Sequence, residues 1–384
     1  MKKRHIFFAL MFPLAIASCR NPDKTKETAT VKQAPAASTK PDSLFYKHLE
    51  GTIGGKPVVM DLMRTGQQTV GSYYYREVGI PIKLQFDSLN NEGALVISEM
   101  TWSNGGNRKS PQFTLKWAGK VFAGTWKDED KGKSYPITLT ETYANGSVPF
   151  RVVRVVDSVL AFPGRKNSPR AKAAIQVIVA EANANSRYVN TQVKELMRLQ
   201  GSDWTEALRG SAKRFFSEYD TGISEEDLND PAAMTATMNY ESVENLGVRY
   251  NENNFLVFEA LNYAYTGGAH GNHGITFSCF DLVSKKKLQL KDIVRMDSVS
   301  LQQVVEKRFR QQYGLAPDAS LKSILFDDFL PANNNVYFNS KGIGFLYNPY
   351  EVAAYAAGEL EVFVPYSDLR TFLAPAFKQR MRIP

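Results

Sequence analysis

The residues best placed to do chemistry are two histidines in one glycine-rich segment. Thr266-Gly267-Gly268-Ala269-His270-Gly271-Asn272-His273-Gly274 holds four glycines in nine residues. Glycine permits unusual backbone angles and close approach of a ligand. Imidazole acts near neutral pH as a general base, a metal ligand or a hydrogen-bonding group. The His-x-x-His spacing lacks the helical frame of His-Glu-x-x-His, and no third ligand is identifiable. A structural hairpin or a binding loop therefore fits better than a catalytic or metal-binding one, and no metal or cofactor is expected. A second stretch, Tyr347 to Gly358, carries three tyrosines within nine residues and is bracketed by Pro349 and Gly358. It reads either as a contact surface or as a plug beneath a crossover. The candidate binding residues are Tyr265, Gly267, Gly268, His270, Gly271, His273, Asn348, Tyr350, Glu351 and Tyr355. They are expected to share one surface, on loops leaving neighbouring strands of one sheet.

No catalytic residue is assigned. Ile275, Phe277 and Cys279 alternate with Thr276 and Ser278, which turns Cys279 inward on a strand and away from any substrate. The Gly-x-Ser-x-Gly elbow, the phosphate-cradling Gly-x-x-x-x-Gly-Lys and the dinucleotide fingerprint are all missing. Asp327-Asp328 reads as a solvated turn.

The elements that must position these loops fall into two regions, giving an α+β fold class overall. Residues 44–142 read as an all-β antiparallel meander, a curved sheet or small barrel of about six to eight strands. The strand-like runs are Lys56 to Leu62, Val70 to Tyr75, Ile82 to Phe86, Ala94 to Met100, Phe113 to Trp117, Val121 to Lys127 and Ile137 to Thr140. A weak repeat, Gly71-Ser72-Tyr73 against Gly124-Thr125-Trp126, places glycine where strands coil strongly. Tyr73, Tyr74 and Tyr75 are consecutive, so at least one leaves the barrel interior. With Trp102, Trp117 and Trp126 they fill a small core or form an aromatic platform. Residues 150–373 read as an α+β domain with an antiparallel sheet and segregated helices. Helix spacing runs over Ser186 to Leu199, from Asp203 to about Tyr219, and over Ser298 to Tyr313. Residues 374–384 read as a C-terminal tail.

Ahead of both regions, Lys2-Lys3-Arg4, an apolar run from Ile6 to Ala17 and Ile16-Ala17-Ser18-Cys19 form a signal segment over residues 1–18. The cysteine at its end resembles a bacterial lipobox, which implies diacylation of Cys19. Residues 19–43 then carry almost no large apolar side chain and read as a disordered tether. The expected location is the cell envelope, lipid-anchored, favouring the outer membrane. The formal net charge is +8, three of these charges lying in Lys2-Lys3-Arg4. No basic stripe stands out, so nucleic acid is not an expected partner.

Tyr265 to Gly271, Phe280 to Leu282, Leu288 to Ile293, Gly342 to Gly358 and Val364 to Leu369 together resemble the extracellular domain shared by the anti-sigma factor RsiV and the non-catalytic part of the peptidoglycan deacetylase PdaC. The resemblance covers roughly residues 150–373, with Ala354 where many members have proline. It implies an envelope binding domain that recognises a cell-wall glycan or a wall-acting protein such as a lysozyme. Sigma-factor signalling and deacetylation are not implied, since the parts that perform them have no counterpart in the sequence. The expected function is thus a non-enzymatic, lipid-anchored binding protein. The alternative is an envelope hydrolase or glycan-modifying enzyme using His270 and His273.

Overall fold

The computed structural model describes residues 43–66, 68–85, 93–100, 109–229 and 236–384. Cys19, the signal segment, the tether through residue 42, Trp102 and the Asn104-Gly105-Gly106 turn lie outside the described residues.

Strands β1 (Leu44–Ile53), β2 (Lys56–Thr65), β3 (Gln68–Tyr75), β4 (Ile82–Gln85), β5 (Leu95–Glu99), β6 (Gln112–Ala118), β7 (Val121–Asp128) and β8 (Lys133–Glu141) follow one another as an antiparallel meander. Pairing of Leu49 to Ile53 with Ile137 to Glu141 joins β1 to β8 and closes the barrel. Leu49, Val58, Met60, Leu62, Phe113 and Phe122 fill it. Glycine at the repeated position is a steric requirement: a Cβ on Gly71 would lie 2.0 Å from the Asp61 carbonyl oxygen, and one on Gly124 1.8 Å from that of Thr114. Within the tyrosine run, Tyr73 turns inward, donating to Glu99 at 2.5 Å, and Tyr74 turns outward. Trp117 packs against Phe122, and Trp126 donates to Glu99, so these aromatics build the barrel interior and its rim.

The chain continues through β9 (Phe150–Leu160), β10 (Arg170–Ala180), α1 (Ser186–Leu196), α2 (Trp204–Ser217), β11 (Tyr240–Glu252), β12 (Phe255–Tyr265), β13 (Asn272–Asp281) and β14 (Lys286–Leu288). The six strands form one sheet in the order β14-β13-β12-β11-β10-β9. It departs from an all-antiparallel sheet at one pair. β10 and β11 run parallel, because the two helices between them carry the chain back to the end where β10 began. Asp203 caps α2 by accepting the Glu206 N–H. The short α3 (Leu290–Ile293) and α4 (Ser298–Gln312) lead to a second sheet of β15 (Val336–Phe338), β16 (Gly342–Tyr347) and β17 (Leu360–Pro365). The last elements are α5 (Tyr366–Leu369) and α6 (Pro375–Arg380).

The six-stranded sheet is a middle layer. One face meets α1 and α2 through Val189, Val193, Leu208 and Ala212. The other meets the small sheet and α4 through Phe345, Val362, Val305 and Phe309. The stretch read as a tail belongs to this second core, where Phe377 and Met381 are buried. An apolar side is what makes residues 375–381 pack instead of trailing.

The barrel ends at Glu141 and β9 begins at Phe150, but the connection between them is not loose. Val148 is buried, and the Asn251 side chain takes its N–H and donates to its carbonyl, both at 2.8 Å. Asn251 also donates to the Tyr46 oxygen, and Tyr46 donates to Asp61 at 2.6 Å. Asp61 in turn holds His48 Nδ1 at 2.8 Å. Tyr74 donates to Glu252. All described residues lie in one compact unit.

Candidate functional site

β13 is the edge that positions the site. Only its last residues, Cys279 to Asp281, pair with β14. Upstream of them, two asparagine side chains take the place of a strand. Asn348 accepts from the Ile275 N–H at 2.7 Å and donates to its carbonyl at 3.1 Å. Asn335 accepts from the Phe277 N–H at 2.9 Å and donates to the Ile275 carbonyl at 2.8 Å. These amides satisfy backbone groups that would otherwise be costly to bury. They fasten the small sheet to the edge of the large one. The two candidate loops therefore meet, but as neighbours across two sheets: the Gly/His loop joins β12 to β13, and the Tyr loop joins β16 to β17.

Within the Tyr loop, Asn348-Pro349-Tyr350-Glu351 is a tight turn closed by the Glu351 N–H on the Asn348 carbonyl at 3.0 Å. Proline at the second position and a positive φ at the third mark a type II turn, whose third position favours glycine. Here it is Tyr350, at φ 67°. The Glu351 carboxylate secures the turn, accepting from the Asn348 N–H at 2.9 Å and from Asn333 at 2.8 Å. Tyr350 is 52% exposed. Its ring lies 5.5 Å from that of Tyr355, and the Tyr355 ring stacks on His270 at 4.3 Å. The Tyr350 hydroxyl comes within 3.5 Å of His270 Nε2.

The Gly/His loop meets this aromatic group from the other side. Tyr355 donates to the Gly271 carbonyl at 3.1 Å, and His270 Nδ1 lies 2.8 Å from the same oxygen. Gly271 lets the Tyr263 ring lie close over the loop, since a Cβ there would lie 2.5 Å from that ring and push it aside. Gly267 and Gly268, at φ 96° and 88°, turn the chain, and Tyr265 donates to the Gly268 carbonyl at 2.9 Å. His273 Nε2 lies 2.8 Å from Glu359, and its ring is edge-on to Tyr355.

The candidate residues divide by role. Tyr265, Gly267, Gly268, Gly271, Asn348 and Glu351 build the frame. His270, Tyr350 and Tyr355 present rings, with His273 beside them. Sequence reading missed Glu359, Asn333 and Asn335. Glu359 directly follows the Gly358 that closes the loop, and this position was its one signal. The asparagines act through side-chain geometry that periodicity does not encode.

Glu359 also lines a cleft of about 280 Å³ between the barrel and the sheet, together with Asp61, Lys83, Met100, Arg249 and Ile275. Deeper along this seam, Arg249 is buried and pairs with Glu361 at 2.6 Å. Burial works to raise the Glu361 pKa, but Arg249, Lys83 and the Tyr337 hydroxyl outweigh it and hold the carboxyl below its ordinary value. Cys279 is buried as expected, and burial pushes its thiol up to about 12, so it is no nucleophile. Among the described residues, neither His270 nor His273 is hydrogen-bonded to a serine, threonine or cysteine side chain. Side chains grouped as a cation could use them, His48, Glu50 and Glu252, stand at the barrel seam instead. No described helix is long and apolar enough to cross a membrane.

The family described as a protein of unknown function, DUF3298, matches residues 291–367. That span holds α4, the small sheet and the Tyr loop, but not the Gly/His loop. Among solved structures, a DUF3298-family protein from Bacteroides fragilis is 22% identical with a TM-score of 0.56, over 62% of this chain and 99% of its own. It is a likeness of fold. A DUF3298-family protein from Pseudomonas aeruginosa is 19% identical with a TM-score of 0.45, over 60% of this chain and 96% of its own. No curated protein matches the chain.

Proposed function

We propose that this chain is a non-enzymatic binding protein of the cell envelope, anchored through a lipid on Cys19, whose two-loop surface holds a cell-wall glycan. The observation that carries the reading is Tyr350. Its aromatic ring is half exposed on a backbone conformation that a tyrosine adopts only at a cost. Strain of that kind persists where the surroundings over-determine it, and it concentrates at ligand contacts. A sugar offers one face of C–H bonds to cover an aromatic ring, and hydroxyls at the rim. His270, His273 and Glu359, next to this ring, would offer polar atoms to such hydroxyls. The cleft beside Glu359 gives a polymer room to continue. The sequence resemblance to a domain of wall-associated proteins supports the same reading.

The test is cosedimentation of the chain from Ser43 onward with purified peptidoglycan, alongside a titration with lysozyme. Saturable cosedimentation is expected. Capture by lysozyme with none by peptidoglycan would replace the glycan with a protein partner.

A further inference from the structure

A second constellation lies at the seam, independent of the loop surface. On β1, the odd residues Phe45, Leu49 and Ile53 enter the barrel core. The even residues Tyr46, His48 and Glu50 therefore point outward, toward the six-stranded sheet. There they meet Glu252, the last residue of β11. One donor atom from each of His48, Glu50 and Glu252 lies within 4.8 Å of the other two.

Acidic side chains near one another are ordinary, but His48 is not. It is fully buried, and its Nε2 has no hydrogen-bond partner. Its Nδ1 is engaged by Asp61 at 2.8 Å, so Nε2 is the nitrogen left for the group. A carboxylate on the far nitrogen is the arrangement that orients a metal-binding imidazole and raises its basicity. Asp61 is fixed in turn by Tyr46, and Glu252 by Tyr74. A buried polar atom with no partner is costly, and a bound ion removes that cost.

We propose that His48, Glu50 and Glu252 bind one divalent transition-metal ion, of which zinc is the type. One imidazole with two carboxylates suits such a cation, whereas magnesium and calcium favour oxygen throughout. A point equidistant from three atoms 4.8 Å apart lies about 2.8 Å from each, so contractions of under about 1 Å bring them to the ~2.0–2.2 Å of zinc bonds. One side chain now stands between the carboxylates. Arg76 Nη2 lies 2.8 Å from Glu50 and 3.0 Å from Glu252. Its side chain is 35% exposed and has room to swing out. Arg76 is the guanidinium that bridges Glu50 and Glu252, while Asp61 is taken up by Tyr46 and His48, so a divalent ion seated between the two glutamates would take over the neutralising role of Arg76. The metal replaces Arg76 and clamps the barrel to the sheet, since two ligands come from β1 and one from β11.

The test is a zinc titration of the full-length chain in detergent, read by competition with a chromophoric chelator and by thermal melting. One zinc per chain and a raised melting temperature are expected. His48→Ala and Glu252→Gln should each weaken binding at least about a hundredfold, and Arg76→Met should tighten it by about tenfold or more, as loss of first ligands and of a competing cation require. Glu50→Gln is half-exposed and conservative, and it carries the test if the His48 variant does not fold. Replacing both His270 and His273 by alanine should leave zinc binding unchanged. No stoichiometric zinc in either the wild type or Arg76→Met would overturn the proposal. So would affinity that survives Glu50→Gln undiminished, or that disappears with the two loop histidines. Saturable magnesium binding of equal strength would overturn the choice of a transition metal.

Discussion

Arg249, which is buried, pairs with the partly exposed Glu361 between the two sheets, with Tyr337 donating to the same carboxylate at 2.5 Å. Removing one charge from such a pair strands the other, which costs ~3–5 kcal/mol. Glu361→Gln should destabilise by about 3 kcal/mol, at the lower end because Glu259 stays 3.6 Å from Arg249. Chemical denaturation measures this, and a loss below about 1 kcal/mol would mean that Glu259 alone suffices. Cys279 offers a simpler check. With its thiol pushed up to about 12 and its Sγ on the Val336 carbonyl, it should resist alkylation at pH 8 until the chain unfolds. Cys279 was legible in the sequence because strand alternation alone turns it inward. Glu361 and Arg249 were not, since their significance lies in partners 112 residues apart. His48 was visible only as one histidine among few. That it shares a face with Glu50 follows from β1, a strand the sequence hid.

At the scale of elements, β1 escaped because its inward row is Phe45, Lys47, Leu49, Gly51 and Ile53, an alternation broken twice, while its outward row is polar yet covered. The other barrel strands follow their apolar runs to within a few residues. Hidden too was the second sheet. Strand patterning says which residues extend but not which partners they choose, so it does not separate the sheet that carries the Gly/His loop from the one that carries the Tyr loop. Asn348 and Asn335 make the actual join. Asn348→Ala removes the acceptor for Ile275 N–H, and one unsatisfied buried amide costs ~1–3 kcal/mol. A fall in melting temperature is expected together with weaker glycan binding, because the turn carrying Tyr350 loses its anchor. An unchanged melt would show that the strand edge is satisfied in some other way.

Two ion pairs that tie the second core together should dissolve in acid. Asp368 accepts two hydrogen bonds from Arg308, which hold its carboxyl below the ordinary range, and Glu361 is held low at the seam. A carboxyl lowered on folding stabilises above its unfolded pKa of about 4, and that stability is lost as pH falls through the folded value. Stability should therefore fall as pH drops below about 4, with Asp368→Asn blunting the fall. An acid transition of the same size and midpoint in Asp368→Asn would show that this pair contributes nothing to it. The central claim, that the two loops present a glycan-binding surface, is tested most directly at Tyr350. Glycine is the residue its turn position favours, so Tyr350→Gly separates presentation of the ring from support of the fold. Melting and peptidoglycan binding would be measured side by side on the wild type and this variant. The expected result is a melting temperature equal to or above that of the wild type, with binding weakened by about 1–3 kcal/mol, the range for losing an aromatic contact residue. Undiminished binding in a variant that melts normally would contradict the claim.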